Sequence, residues 1–323
     1  MMYKNSLLKV VLLIAILISL AGCTALQTDK PTKAPLRIEY AQWWGDYTLL
    51  VAKEKGLFEK YGVEVEPVYY DIFSKTYPDL AAGQIDGALI AVGDTININR
   101  TAPMKVVAVY DNGGNDAVLV GSDINSIQDL KGKTIGLQIG SQYELTVVKM
   151  LQSVNMGIED VTIVAINPED ALAALESGQV QAASTWEPYS SEALSSGYKI
   201  IYPQEQLYLF PDLIVFDALV VKKRPEDVRA FLNAWFEAVD YRLKNQEETR
   251  AIAAKYLHLN IEEVQPDNNL KILNLNDNKK LFNLQEAISI YTITNITTDY
   301  LISIGALAQQ IDTQTLLDPS YLP

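Results

Sequence analysis

The reactive side chains of this chain are few. Cys23 is its only thiol and His258 its only imidazole. That removes structural disulfides, thiolate catalysis and zinc–thiolate clusters together. His258 falls in Ala251–Leu259, which reads as a helix end, where a solvated or capping imidazole is expected. Gly132-Lys133-Thr134 has the ending of a phosphate loop, but the first glycine of that motif would fall at Ile127. The segment also leads into a strand, whereas a phosphate loop leads into a helix. What is left is the chemistry of binding, carried by aromatic rings and carboxylates grouped in short segments.

Gln42-Trp43-Trp44-Gly45-Asp46-Tyr47 sets two indoles side by side, able to stack on a flat or cationic group. Either indole could instead plug the core, and Asp46 could serve only as the N-cap of the next helix. Asp71-Ile72-Phe73-Ser74 and Val92-Gly93-Asp94-Thr95 add Phe73, Gly93 and Asp94 as candidate contacts. Ile139-Gly140-Ser141-Gln142-Tyr143 opens a helix. Free N–H groups at Gly140 and Ser141 could hold an anion there beside Tyr143, or Ser141 could be a plain cap. Trp186-Glu187-Pro188-Tyr189 offers Trp186 as the main contact of the second half, while Glu187 could merely offset a helix dipole. Asp116 and Asp217 fall where the chain changes halves, to touch ligand or to brace a hinge. Acids dominate these segments (Asp46, Asp71, Asp94, Asp116, Glu187, Asp217) and Lys75 is almost the only base nearby. The balance leans toward a nitrogenous or zwitterionic ligand. Backbone N–H groups and hydroxyls could still hold an anion.

The elements that must position these residues alternate. Strand signals at 36–40, 63–70, 87–91 and 105–110 are separated by helix signals at 48–55 and 77–82 and by a helix that Asp94 could cap. Asp111-Asn112-Gly113-Gly114-Asn115-Asp116 breaks the composition, and the alternation restarts: strands at 134–138, 161–165 and 181–184, helices at 142–154, 169–175 and 188–194. Ala81-Ala82-Gly83-Gln84-Ile85-Asp86-Gly87-Ala88 is echoed by Glu176-Ser177-Gly178-Gln179-Val180-Gln181-Ala182-Ala183 at the same step of each series. A strand at Asp217–Val221 is expected to return the chain, followed by an amphipathic helix from Pro225 to about Leu243 and a tail that packs back on the first half.

Ahead of all this, Lys4 and Lys9 precede an apolar run, Val10–Leu20, of about a dozen residues, too short for a membrane span. Leu20-Ala21-Gly22-Cys23 matches the lipobox of bacterial lipoproteins, which implies cleavage before Cys23 and a lipid on its sulfur. Thr24 to Pro35 reads as a polar tether. The formal charge is −14, and removing residues 1–22 takes away two more lysines and no acid. Such a surface argues against nucleic acid and against direct binding to anionic lipid.

Several segments together resemble the solute-binding proteins of ABC importers in the nitrate/sulfonate/taurine and thiamine-precursor group. They are Glu54-Lys55-Gly56-Leu57-Phe58-Glu59-Lys60-Tyr61-Gly62-Val63-Glu64-Val65, Leu80–Ala88, Asp129-Leu130-Lys131-Gly132-Lys133-Thr134-Ile135-Gly136, Ala171–Leu175 with Gly178-Gln179-Val180, Thr185-Trp186-Glu187-Pro188-Tyr189 and Leu317-Asp318-Pro319-Ser320-Tyr321-Leu322. Gln181 departs from the acid usual there. The resemblance implies an α/β fold of the type II periplasmic-binding class, two lobes each built on a mainly parallel sheet flanked by helices, with a ligand cleft between them. The expected organisation is a signal peptide at 1–22, a lipidated tether at 23–35, one lobe from 36–115 plus 218–323, and the other from 116–217. The resemblance also implies a monomer anchored outside the cell membrane, a small-molecule ligand and an ABC permease with its ATPase as partners. It implies no catalytic residue, cofactor or metal. A sensor input to a membrane receptor is the alternative role.

Overall fold

A computed structural model describes residues 33–113, 117–203, 210–266, 270–286 and 288–323. Cys23, the apolar run before it, the tether up to residue 32 and Asp116 lie outside the described residues. The strands are β1 (Leu36–Tyr40), β2 (Val65–Tyr69), β3 (Gly87–Ala91), β4 (Met104–Val109), β5 (Ala117–Val120), β6 (Thr134–Leu137), β7 (Thr162–Ala165), β8 (Ala182–Thr185), β9 (Lys199–Pro203) and β10 (Asp212–Asp217).

They form two five-stranded sheets, β2-β1-β3-β10-β4 and β7-β6-β8-β5-β9. β1 pairs in parallel with β2 and β3, and β6 does the same with β7 and β8. β10 runs antiparallel to β3 and β4, and β5 runs antiparallel to β8 and β9. The two orders are therefore one pattern used twice. In each sheet the antiparallel fourth place is filled by the strand that follows a passage from the other lobe. The sequence echo sits at the same point of both, since Gly83 precedes β3 and Gly178 precedes β8.

The return strand differs from expectation, and β5 and β9 were not expected from the sequence. The return strand lies at Asp212–Asp217, inside the first sheet, and Ala218–Lys223 is a helix. The apolar run Ala218-Leu219-Val220-Val221 suits either state, but Asp217 accepts from the N–H groups of Leu219 (2.6 Å) and Val220 (3.3 Å), which fixes it as a helix cap.

The two passages between lobes lie against each other. Tyr110 N–H donates to the Asp212 carbonyl at 2.9 Å. Gly113 has φ +58°, and a Cβ there would sit 1.8 Å from the Phe210 carbonyl oxygen, so only glycine lets the strands pass. The tail packs on the first lobe as expected. Asn278, fully buried, donates to the Val109 carbonyl at 2.9 Å and accepts from the Val109 N–H at 2.8 Å, completing the backbone at the end of β4. Leu273 N–H bonds the Tyr110 carbonyl at 2.9 Å, and Asp318 N–H bonds that of Val106.

Candidate functional site

The first lobe supplies an acidic floor. After β1 the chain turns through Gln42–Asp46, and this turn is clamped by Arg242 at the end of the helix Pro225–Arg242. The buried guanidinium donates to the carbonyls of Gly45 (2.9 Å) and Trp44 (2.8 Å) and to Thr48 Oγ1 (2.7 Å). It also lies 4.9 Å from the Trp44 ring. Burial pulls its pKa down to about 10, with Asp111, Tyr47 and Asp46 acting against the fall. Asp46 stands at the N-cap position but does not cap with its side chain. Its carboxylate accepts instead from the Ala41 N–H and the Tyr110 hydroxyl, both at 2.8 Å. Asp111 accepts from the Trp43 indole at 3.0 Å and from Gly113 N–H at 2.9 Å. A Cβ on Gly45 would stand 2.2 Å from Asp111 Oδ2 and 2.7 Å from the Trp43 nitrogen, so glycine permits that bond. The Trp43 ring is thus aimed by its nitrogen, with its face turned to the second lobe.

The second lobe supplies an aromatic wall centred on Trp186, in the loop after β8. Its ring stacks on Trp43 with centroids 6.0 Å apart and planes within 11°. Phe73 lies 5.3 Å from it, Tyr143 6.3 Å and Tyr189 6.4 Å. Trp43, Phe73, Tyr143 and Trp186, with Asp46, Asp94, Tyr110, Gln142, Asp212 and the end of β3, enclose a cavity of about 20 Å³, room for about one water. None of its lining residues is Lys, Arg or His.

Polar atoms without partners gather here. Both carboxyl oxygens of Asp94 and the Trp186 indole nitrogen are buried and make no hydrogen bond, and the Tyr77 hydroxyl and Gln138 Oε1 share that state. The Tyr77 hydroxyl and the Gln142 N–H lie near Asp94 without completing hydrogen-bond geometry. Burial pushes the Asp94 carboxyl up to about 7, and those two groups oppose the rise. Burial also raises Glu39, Asp46 and Asp111, with Asp46 adding to the effect on Glu39.

Contacts across the cleft hold the lobes together. Phe73 N–H donates to Glu169 (3.1 Å), Ser74 to Asn167 (3.1 Å), Asn97 to the Gly140 carbonyl, and the Tyr300 hydroxyl to the Leu145 carbonyl (3.2 Å).

The structure brings Trp43, Asp46, Phe73, Asp94, Tyr143 and Trp186 together at the cavity. Gly93 lies beside it, its Cβ direction 3.4 Å from Leu145 of the second lobe. Asp94 is within the first turn of the helix Val92–Asn99 and does not cap it. Trp44 and Tyr47 pack edge to face, 5.7 Å apart, and border an outer pocket of about 300 Å³ with Glu187. Glu187 also accepts from the Ser191 N–H at 3.3 Å. The Gly140–Ser141 corner is occupied by the chain itself. Gly140 N–H donates to Glu144 (2.7 Å), and Ser141 Oγ donates to the Gln138 carbonyl (2.7 Å) while accepting from Tyr143 N–H (3.2 Å). Asp217 lies at the end of β10 that pairs with Met104, the start of β4, away from the cavity. Because β10 is antiparallel, its first residue, Asp212, is the one beside the ends of β3 and β4. Sequence reasoning missed Asp212 because it began the return strand at Asp217, where the structure begins it at Asp212. It also missed Tyr110, Gly113 and Gln142, although the rule that ligands lie beyond strand ends points to the first two after β4.

The chain matches the model of the NMT1-like family over residues 29–258. It is 27% identical over 324 residues to a putative aliphatic sulfonates-binding protein of Bacillus subtilis (strain 168), covering 97% of this chain and 95% of that one. The periplasmic aliphatic sulphonate binding protein of Escherichia coli has the same fold, with a TM-score of 0.69 at 20% identity, over 88% of this chain and 91% of the other. The periplasmic nitrate-binding protein of Synechocystis PCC 6803 superposes with a TM-score of 0.73 at 16% identity, over 89% and 86%. At those identities the two structures speak for the fold alone: two α/β lobes of the periplasmic-binding class around a cleft. With 230 consecutive residues inside one family model, this chain belongs to the NMT1-like family.

Proposed function

We propose that this protein captures a small solute between its lobes and delivers it to an ABC permease and its ATPase, without transforming it. The observation that carries this reading is the closed cavity itself, walled by both lobes, with parallel indoles on either side and unpartnered polar atoms inside. Burying hydrogen-bonding atoms without partners costs free energy, and a bound solute would satisfy them. A lobe-closing motion fits the contacts that span the cleft. A lipid on Cys23 would hold a monomer at the outer face of the membrane.

The floor of carboxylates and the lack of cations among the lining residues favour a nitrogenous heterocycle or zwitterion, such as a thiamine or pyrimidine precursor. A sulfonate or nitrate in the same role is the second reading. The sulfonates-binding relative of Bacillus subtilis supports it, as does the Trp186 indole N–H, an unpartnered donor on a ring that lines the cavity. A thermal-shift screen against pyrimidines, amines, amino acids, sulfonates and nitrate tests the reading. A solute at 100 times its dissociation constant adds about 2.7 kcal/mol. Stabilisation by one class identifies it, whereas no shift with any class over a wide concentration range counts against solute capture.

A further inference from the structure

Asp94 is the one lining carboxyl with neither oxygen hydrogen-bonded. Asp46 and Asp111 spend theirs on N–H and O–H donors of the first lobe, and Asp212 is hydrogen-bonded to Asp111. Asp94 is only 1% exposed, so water outside the cleft does not serve it. It projects from the first turn of its helix into the cavity that Trp43 and Trp186 also line. The two rings lie nearly parallel with centroids 6.0 Å apart, so a flat guest with a face on each, which needs about 7 Å, enters only when the lobes part by roughly 1 Å. A carboxyl with two open oxygens suits two N–H donors side by side on that guest's edge.

We propose that Asp94 is the specificity residue of the cavity: its two oxygens take the paired N–H groups of a flat amidine-like edge held between Trp43 and Trp186, and a proton leaves the site as such a cation enters. The inference rests on reading the cleft as a solute site. The proton balance is simple. The acid form of Asp94 meets an amidinium, the carboxylate–amidinium pair forms through two N–H···O bonds, and the carboxyl proton passes to solvent. No bond between heavy atoms changes.

The surroundings support a proton held in the empty site. Burial pushes the carboxyl up to about 7, and the groups facing it are hydroxyls, amides and other acids. They are Tyr77 from the helix Thr76–Ala81, the Gln142 N–H from the second lobe and, around the cavity, Asp46, Tyr110, Tyr143 and Asp212. None of these supplies a fixed positive charge. An amidinium therefore binds more tightly as pH rises from 5 to 8, while an anion, which needs the proton kept, binds more weakly.

The test is calorimetric titration of the full-length protein at pH 6 with benzamidinium, in two buffers of different ionisation heat, and in parallel with methanesulfonate. The expected result is benzamidinium binding with net proton release, and Asp94→Asn weakening it by at least about tenfold. Benzamidinium binding without proton release overturns the proposal on the unmodified protein, whatever the variant does. Equal affinity in a folded Asp94→Asn protein overturns it as well. No benzamidinium binding also overturns it, but a melting shift with methanesulfonate or another screened solute would leave solute capture standing.

Discussion

The two lobes share one strand order and differ in what they bury. In the first, Trp235, Phe58 and Phe231 are fully buried in a continuous aromatic core. In the second, the sheet separates two smaller clusters, one of them built largely from Ala171, Ala174, Ala183 and Ala193. Among the described residues the charge is just as uneven. Glu39, Asp46, Asp94, Asp111, Asp212 and Arg242 are buried in the first lobe or at its strand ends, whereas the buried polar residues of the second are neutral, such as Gln138, Ser141, Gln142 and Ser184. A duplicated scaffold has thus been given two tasks. The large core can hold costly charges in fixed positions, and the lighter lobe brings aromatic and neutral groups down on them.

The steepest way to break this division is at the join. Gly113→Ala places a Cβ against the Phe210 carbonyl at a left-handed φ. It should cost at least about 4 kcal/mol or abolish folding, read by denaturant melts. Next is the charge asymmetry. Asp94 has a folded pKa near 7 against an ordinary 3.8. Below about pH 4 both folded and unfolded states hold the proton and no penalty exists; the penalty grows as pH rises toward 7 and then levels. Raised Glu39, Asp46 and Asp111 act in the same direction. The empty protein should therefore be more stable at pH 5 than at pH 8, and Asp94→Asn should gain on the order of a few kcal/mol at pH 8 and little at pH 4. A melting temperature that rises with pH across this range would refute the burial of acids in the first lobe. Asn278→Ala, which strands the Val109 N–H and carbonyl, should cost about 2 kcal/mol. Tyr300→Phe removes a single bond between lobes and should cost about 1 kcal/mol or less, seen as a small fall in melting temperature.

Much of this was legible in the sequence wherever local signals carry the information. Alternating strand and helix patterns, the break at Asp111 and the paired Gly-Gln steps give the two-lobed α/β plan. Trp43 and Trp186 stood out as rings in strand-end loops. The direction of β10 was not legible, because an apolar run has no polarity that betrays whether its partners run with it or against it. Nor were its bounds, and a strand expected at Asp217–Val221 pointed to Asp217 in place of Asp212. Nor could spacing show that Trp44 turns under Arg242, a residue nearly two hundred positions away whose guanidinium finds the Trp44 carbonyl. The Gly140–Ser141 corner had the pattern of an anion site, but Glu144 of the same helix reaches its N–H first.

The central claim is that a solute is held where Trp186 of one lobe meets Trp43 of the other. The most direct test is the affinity of the solute that most raises the melting temperature, measured by calorimetry on the unmodified protein and on Trp186→Ala, with circular dichroism to verify the fold. Loss of the indole should weaken binding by at least about thirtyfold, as for a buried aromatic anchor. Unchanged affinity in a folded variant would contradict the account and move the site elsewhere in the cleft.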